Sequence, residues 1–124
     1  MNSIDMNVLT LAYLGDAIYE IYVRKHLINK GIVKVNDLQK ESVKYVSAKG
    51  QSSYLKLMIE KGFLKESEII IIKRARNHKG TSHPKNTDIV TYKYATGLES
   101  LIGYLYIENN NERIEEIMTF ILGD

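Results

Sequence analysis

The sequence predicts an all-α fold, and three observations carry that prediction. Apolar residues recur at helical spacing through several long stretches, glycines and capping residues punctuate them, and no two alternating segments are joined by a hairpin turn. Ser3 or Asp5 is placed to cap a first helix that runs to about Asn29. Gly31 follows it, and Arg24, Lys25 and His26 put positive charge at the negative end of its dipole. Residues 34–38 read as a connection with Asn36 as the next cap. The stretch from Gln39 to Gly62 is helical throughout, with a break expected at Ser47 or Gly50. Leu64 to Asn77 begins with Glu66 and Glu68 and ends with Lys73, Arg74 and Arg76. Its four isoleucines would also suit a strand, but this order of charges favours a helix. His78 to Thr87 has loop composition and carries the single proline. Asp88 caps a second apolar helix that ends near Asn109, and a short amphipathic helix closes the chain.

The bulk properties set bounds. The 124 residues, 44% hydrophobic, suit one domain over residues 1–124 with a real core. The net charge of +2 permits a nucleic-acid partner without arguing for one. Its distribution says more: Ile69 to Thr87 holds five basic residues and no acid, whereas Ile107 to Asp124 holds five acids against Arg113. With no cysteine, disulfides and thiolate metal sites are excluded. No apolar run has the length of a membrane span or the pattern of a signal peptide, so a soluble cytoplasmic protein without membrane contact is expected.

The stretch LAYLGDAIYE, Leu11 to Glu20, organises the rest. At helical spacing Leu11, Leu14, Ile18 and Ile21 form one apolar stripe. Asp16 lies opposite, among Leu9, Ala12, Tyr13, Tyr19 and Val23, which predicts a carboxylate inside an apolar seam. The second apolar helix repeats the anomaly. Glu99 shares its face with Tyr92, Ala95, Thr96, Ile102, Gly103 and Tyr106, several of them small enough for another helix to approach closely. A carboxylate so placed needs a partner. From the residues alone two answers stay open: Asp16 and Glu99 converge on a hard cation such as Mg²⁺, or they pair with Arg24, Arg74 or Arg76.

The basic stretch is equally two-sided. Lys73, Arg74, Arg76, Asn77, Lys79, Lys85 and Asn86, with Lys49 as a weaker addition, suit the phosphates of an RNA duplex, which is read by shape and 2′-hydroxyls rather than by stacking. They would serve equally as favourable charges at a helix C-terminus. His78 and His83 match no zinc spacing, His26 is a helix-end residue, and Tyr13, Tyr19, Tyr92, Tyr94, Tyr104 and Tyr106 belong to core or interface.

Leu14, Gly15, Asp16 and Ala17 resemble the signature of the ribonuclease III family, and Glu99-Ser100-Leu101-Ile102-Gly103 resembles its late glutamate motif. Together with YVSAKGQ, RARN, PKNTD and TYKYATGLE, the resemblance spans about Leu9 to Glu108 and is closest to the Mini-III branch, which has the catalytic domain alone. Two family acids are replaced, by Ala12 and Thr96, as they are in that branch. The resemblance implies a homodimer joined through the signature helix, with Asp16 and Glu99 holding Mg²⁺ for cleavage of double-stranded RNA. The implied substrate is the stem of a 23S ribosomal RNA precursor. Length and charge add a separate expectation: with only a local basic patch, affinity is modest and salt dependent, so a particular stem shape or a ribosomal protein helps select the cut. The alternative is a non-catalytic helical RNA-binding module of the same fold.

Overall fold

The computed structural model describes residues 6–78, 85 and 87–123, and among them six helices carry all the regular structure. They are α1 (Val8–Asn29), α2 (Val35–Val46), α3 (Ala48–Glu60), α4 (Glu66–Arg76), α5 (Ile89–Ile107) and α6 (Asn111–Leu122). Helix α5 is the hub: α1, α3, α4 and α6 all pack on it, and α2 bridges α1 and α3. Its nine buried residues leave it almost no solvent face, which explains why its sequence is apolar nearly all round. The core is built from Tyr19, Leu55, Met58, Leu98, Leu101, Ile102, Ile114, Ile117 and Met118. None of the described helices is long and apolar enough to cross a membrane.

Several boundaries fall where local chemistry places them. Ser47 ends α2 and caps α3, its Oγ accepting from the Gly50 N–H at 3.0 Å, so the expected break lies there while Gly50 stays inside α3. Asp88 caps α5 by accepting from the Thr91 N–H at 2.9 Å. The four isoleucines are helical, with Ile71 and Ile72 buried and Ile70 exposed. Two caps differ from expectation. Asn7 caps α1, its side chain accepting from the Leu9 N–H at 2.8 Å, and Ser3 and Asp5 lie outside the described residues. Helix α2 starts at Val35, one residue before the expected cap Asn36, with Lys34 flanking it and no side-chain cap bond.

A larger correction concerns the orientation of α1. Its buried face consists of Val8, Leu11, Ala12, Gly15, Tyr19, Val23 and Leu27, whereas Ile21, expected on the core stripe, is 61% exposed. The face chosen has the smallest residues at its centre, and these admit α5 closely. Tyr19 earns its full burial by donating its hydroxyl to the Tyr45 carbonyl oxygen at 2.7 Å.

One buried ion pair locks α4 to α6. Arg113 donates from Nε and Nη2 to the two carboxylate oxygens of Glu68, both at 2.8 Å, and again from Nη2 to the Phe63 carbonyl oxygen. Burial alone would raise the Glu68 carboxyl, but the guanidinium and the Lys65 N–H outweigh it and hold the group below its usual range. Glu68, read from the sequence only as an acid at the start of this helix, is thus a structural charge.

Candidate active site

The seam between α1 and α5 is closed by two glycines facing each other. A Cβ added at Gly15 would fall on the Glu99 carbonyl oxygen, and one added at Gly103 would fall on that of Leu11. Nothing larger than hydrogen fits at either position, so the two backbones touch. Ser100 ties the same seam by donating its hydroxyl to the Val8 carbonyl oxygen at 2.9 Å. The chain therefore brings residues 16 and 99 together through backbone contact rather than through long side chains.

Asp16 and Glu99 lie within hydrogen-bonding reach of each other. Glu99 is the half-buried partner, and burial first, then the hydrogen bond to and charge of Asp16, push its carboxyl up to about 8. Asp16 is exposed, so only one of the two acids sits in the seam and the expectation of a buried Asp16 is corrected. Glu20, one turn on, adds negative potential at Glu99 while pairing with Arg24 at 2.8 Å. The amide of Gln51, at the start of α3, donates to Glu99 Oε2 at 3.5 Å and opposes the upward push.

The arginines that might have neutralised the pair have other partners. Arg24 is engaged by Glu20, and Arg74 donates to the Met6 carbonyl oxygen at 2.6 Å. Arg76 lies over the Tyr94 ring, 4.7 Å from its centre. Two acids converge here, and among the described residues no cluster of three or more metal-ligating side chains forms. That donor set fits Mg²⁺, which is typically held by one or two carboxylates with water in the remaining positions. Ala12 and Thr96 are buried and supply no charge, and Thr96 spends its hydroxyl proton on the Tyr92 carbonyl oxygen at 2.9 Å.

Of the basic residues singled out in the sequence, Lys49 lies on α3, Lys73, Arg74 and Arg76 on α4 with Asn77 at its C-terminal end, and Lys85 ahead of α5. Lys49, Lys73, Arg76, Asn77 and Lys85 are exposed, while Arg74 is half-buried and strapped to the N-terminal segment. Lys79, Asn86 and His83 lie outside the described residues. Sequence reading passed over Lys56, whose ammonium also sits on the Tyr94 ring at 4.9 Å, and Lys93, which lines a cleft of about 170 Å³ with Arg76, Asn77, Val90 and Tyr94. It passed over Gln51 too, whose only signal in the sequence is its helical spacing with Leu55 and Met58, four and seven residues on, with which it is buried.

A model of the ribonuclease III domain matches residues 9–110, which covers the acid pair and the helices from α1 to α5. The chain belongs to the ribonuclease III family. It is 44% identical over 117 residues to the Mini-ribonuclease 3 of Streptococcus pneumoniae, covering 94% of this chain and 91% of that one. To the Mini-ribonuclease 3 of Brevibacillus brevis it is 50% identical over 112 residues, 90% and 82% of the two chains. A crystal structure of a Fusobacterium nucleatum protein superposes with a TM-score of 0.86 at 35% identity, covering 97% of this chain and 96% of that one. The ribonuclease III fold is thus that of this chain, and the chain is an endoribonuclease. Enzymes of the family act on double-stranded RNA and depend on a metal.

Proposed function

We propose that Asp16 and Glu99 are the catalytic acids of this ribonuclease and that the metal they hold is Mg²⁺. The observation carrying this is their convergence across the Gly15–Gly103 contact with the charge on Glu99 uncompensated. Such a carboxyl keeps a proton or takes a cation. The chemistry such an ion supplies when bound is stabilisation of charge at the scissile phosphate and acidification of a water for in-line hydrolysis. The chain's own part is to hold two oxygen donors on helices whose separation the glycines fix, and to give up the proton on Glu99. Products carry 5′-phosphate and 3′-hydroxyl ends. The proposed substrate is the base-paired stem of a 23S ribosomal RNA precursor, cut in the cytoplasm by a single catalytic domain, with a ribosomal protein assisting selection.

Incubation of a labelled RNA duplex tests the reading. Cleavage with Mg²⁺ and none with EDTA is expected, leaving the stated ends. An intact duplex that still shifts in a gel with Mg²⁺ present would replace the enzyme by a non-catalytic RNA-binding module.

The basic surface is proposed as the grip on the phosphate backbone, with Lys49, Lys73, Arg74, Arg76, Asn77, Lys79, Lys85 and Asn86 from the sequence and Lys56 and Lys93 added by position. Tyr94 gathers Lys56 and Arg76 on one ring, which reduces the freedom each loses on meeting RNA. Binding should therefore weaken steeply with salt. Arg76→Ala is expected to lower the slope of log K against log salt by about 1, with kcat at saturating RNA little changed. A slope identical to that of the wild type would remove Arg76 from the interface.

A homodimer is proposed through the outer face of α1, where Tyr13 is 84%, Ile21 61% and Ile28 56% exposed on one side of the helix. Two copies meeting there place an acid pair on each side of a duplex. Ile21→Asp is expected to halve the mass measured by light scattering, and an unchanged dimer mass would move the interface elsewhere.

A further inference from the structure

We propose that Gln51 is a positioning residue for Glu99, holding the carboxylate in the orientation that receives the divalent cation; this rests on the reading of Asp16 and Glu99 as the cation's ligands. Gln51 is 2% exposed and occupies the buried stripe of α3 with Leu55 and Met58, four and seven residues on. Packing alone would be served by leucine or methionine. A buried amide needs a hydrogen-bond partner, and Nε2 is 3.5 Å from Glu99 Oε2.

Neutrality is what makes glutamine fit. Asp16, Glu99 and Glu20 already crowd negative charge at this spot. A further carboxylate would add to the repulsion, and a lysine or arginine would satisfy the acids and take the place of the cation. An amide orients one oxygen of Glu99 while leaving the full charge of the pair to a divalent ion.

The fold also fixes where this amide lies. The first turn of α3 follows directly on α2, and a Cβ at Gly50 would meet the Lys44 carbonyl oxygen. The Ser47 cap closes the same turn. Gln51 is thus anchored by backbone contact on its N-terminal side and by core packing on its C-terminal side. With α3 antiparallel to α5, Gln51 meets Glu99 and Lys56 meets Tyr94 five residues along each helix. The register that aims the amide is therefore held at two points.

The test compares wild type, Gln51→Met, Gln51→Glu and Asp16→Asn by Mg²⁺ titration followed through melting temperature, and by kcat and KM on duplex RNA. Gln51→Met, which keeps volume but loses the donor, is expected to need at least tenfold more Mg²⁺ for half of the melting shift. Its kcat should fall at least tenfold at the wild-type Mg²⁺ concentration and recover in part at high Mg²⁺, with KM for RNA unchanged. Wild-type Mg²⁺ dependence and kcat in Gln51→Met would overturn the proposal and leave the residue to packing. A rise in KM without a change in the Mg²⁺ titration would overturn it as well. Should Gln51→Met not fold, the side-chain amide NMR signal of Gln51 in the wild type decides: it is expected to move during Mg²⁺ titration and to stay still in Asp16→Asn. A signal that does not move while Mg²⁺ raises the melting temperature of the wild type rejects the role. Failure of the underlying reading looks different, because Asp16→Asn would then retain the Mg²⁺ shift and the cleavage of wild type.

Discussion

Asp16→Asn is expected to abolish RNA cleavage and yet, with EDTA at pH 8, to melt at a higher temperature than the wild type. The reason lies in Glu99, whose carboxyl is raised from an ordinary 4.5 to about 8, chiefly by burial and then by the hydrogen bond and charge of Asp16. A group whose folded pKa lies above its unfolded value contributes stability that is fully present below about 4.5 and is lost as pH rises through about 8. The metal-free wild type should therefore lose stability across that window, on the order of 3 kcal/mol, as the Glu99 carboxyl ionises in its half-buried place. Removing the charge at position 16 relieves part of this, while the part due to burial remains. Mg²⁺ should raise the melting temperature of the wild type more at pH 8 than at pH 6, since fewer molecules then hold a proton on Glu99 that binding must displace. Asp16→Asn should show little of that gain. Its cleavage rate, and that of Glu99→Gln, should fall by on the order of 10³-fold or more, as when preorganised charge stabilisation is removed. A wild type whose metal-free stability is flat between pH 5 and 8, or a variant that cuts at the wild-type rate, would sink this account.

Gly103→Ala and Gly15→Ala are expected to be the most damaging substitutions of a single methyl group in the molecule. In both cases the new Cβ collides with a backbone carbonyl of the facing helix, and neither has a flexible side-chain end that can swing aside. The helices must separate, and Ser100 would lose its bond to Val8. Overpacking of this kind costs about 3 kcal/mol, which for a domain of this size lowers the melting temperature by on the order of 10 °C. Activity should suffer beyond the loss of folded protein, because a displacement of about 1 Å at reacting groups costs on the order of 10²-fold. Thermal denaturation and rates corrected for the folded fraction separate the two effects. An alanine variant with wild-type stability would show that the seam is looser than described.

The sequence carried the topology-defining pairing but not the orientation of its first helix. Gly103 and the small residues around Glu99 announced a close approach, and α1 and α5 do meet there, through Gly15 on the facing helix. Which side of α1 faces α5 was hidden because that helix is apolar on nearly every side, so hydropathy gave no preference between Leu14, Ile18 and Ile21 on one hand and Ala12, Gly15 and Tyr19 on the other. For the same reason Asp16 read as buried when it is exposed. Gln51 escaped notice because a polar residue in a mixed helix resembles a solvated one until its neighbours are placed. Lys56 and Lys93 fall outside the basic stretch in sequence, and only the meeting of α3, α4 and α5 at Tyr94 brings them beside Arg76 and Asn77. The helix boundaries were the most readable feature, since Ser47, Asp88 and the charge order of α4 act locally.

The two-sidedness of α1 has a consequence for how far apart paired cuts would fall. One side is pressed against α5 through Gly15, the other is left bare by Tyr13 and Ile21, and Asp16 stands on the margin between them. In a symmetric pair built on the bare side, the ruler between the two acid pairs is the thickness of two helices, not the reach of any loop. The stagger of the ends left on a duplex would then be set by the most rigid part of the molecule, and lengthening or exchanging the basic loop would alter which stems are taken without altering the overhang.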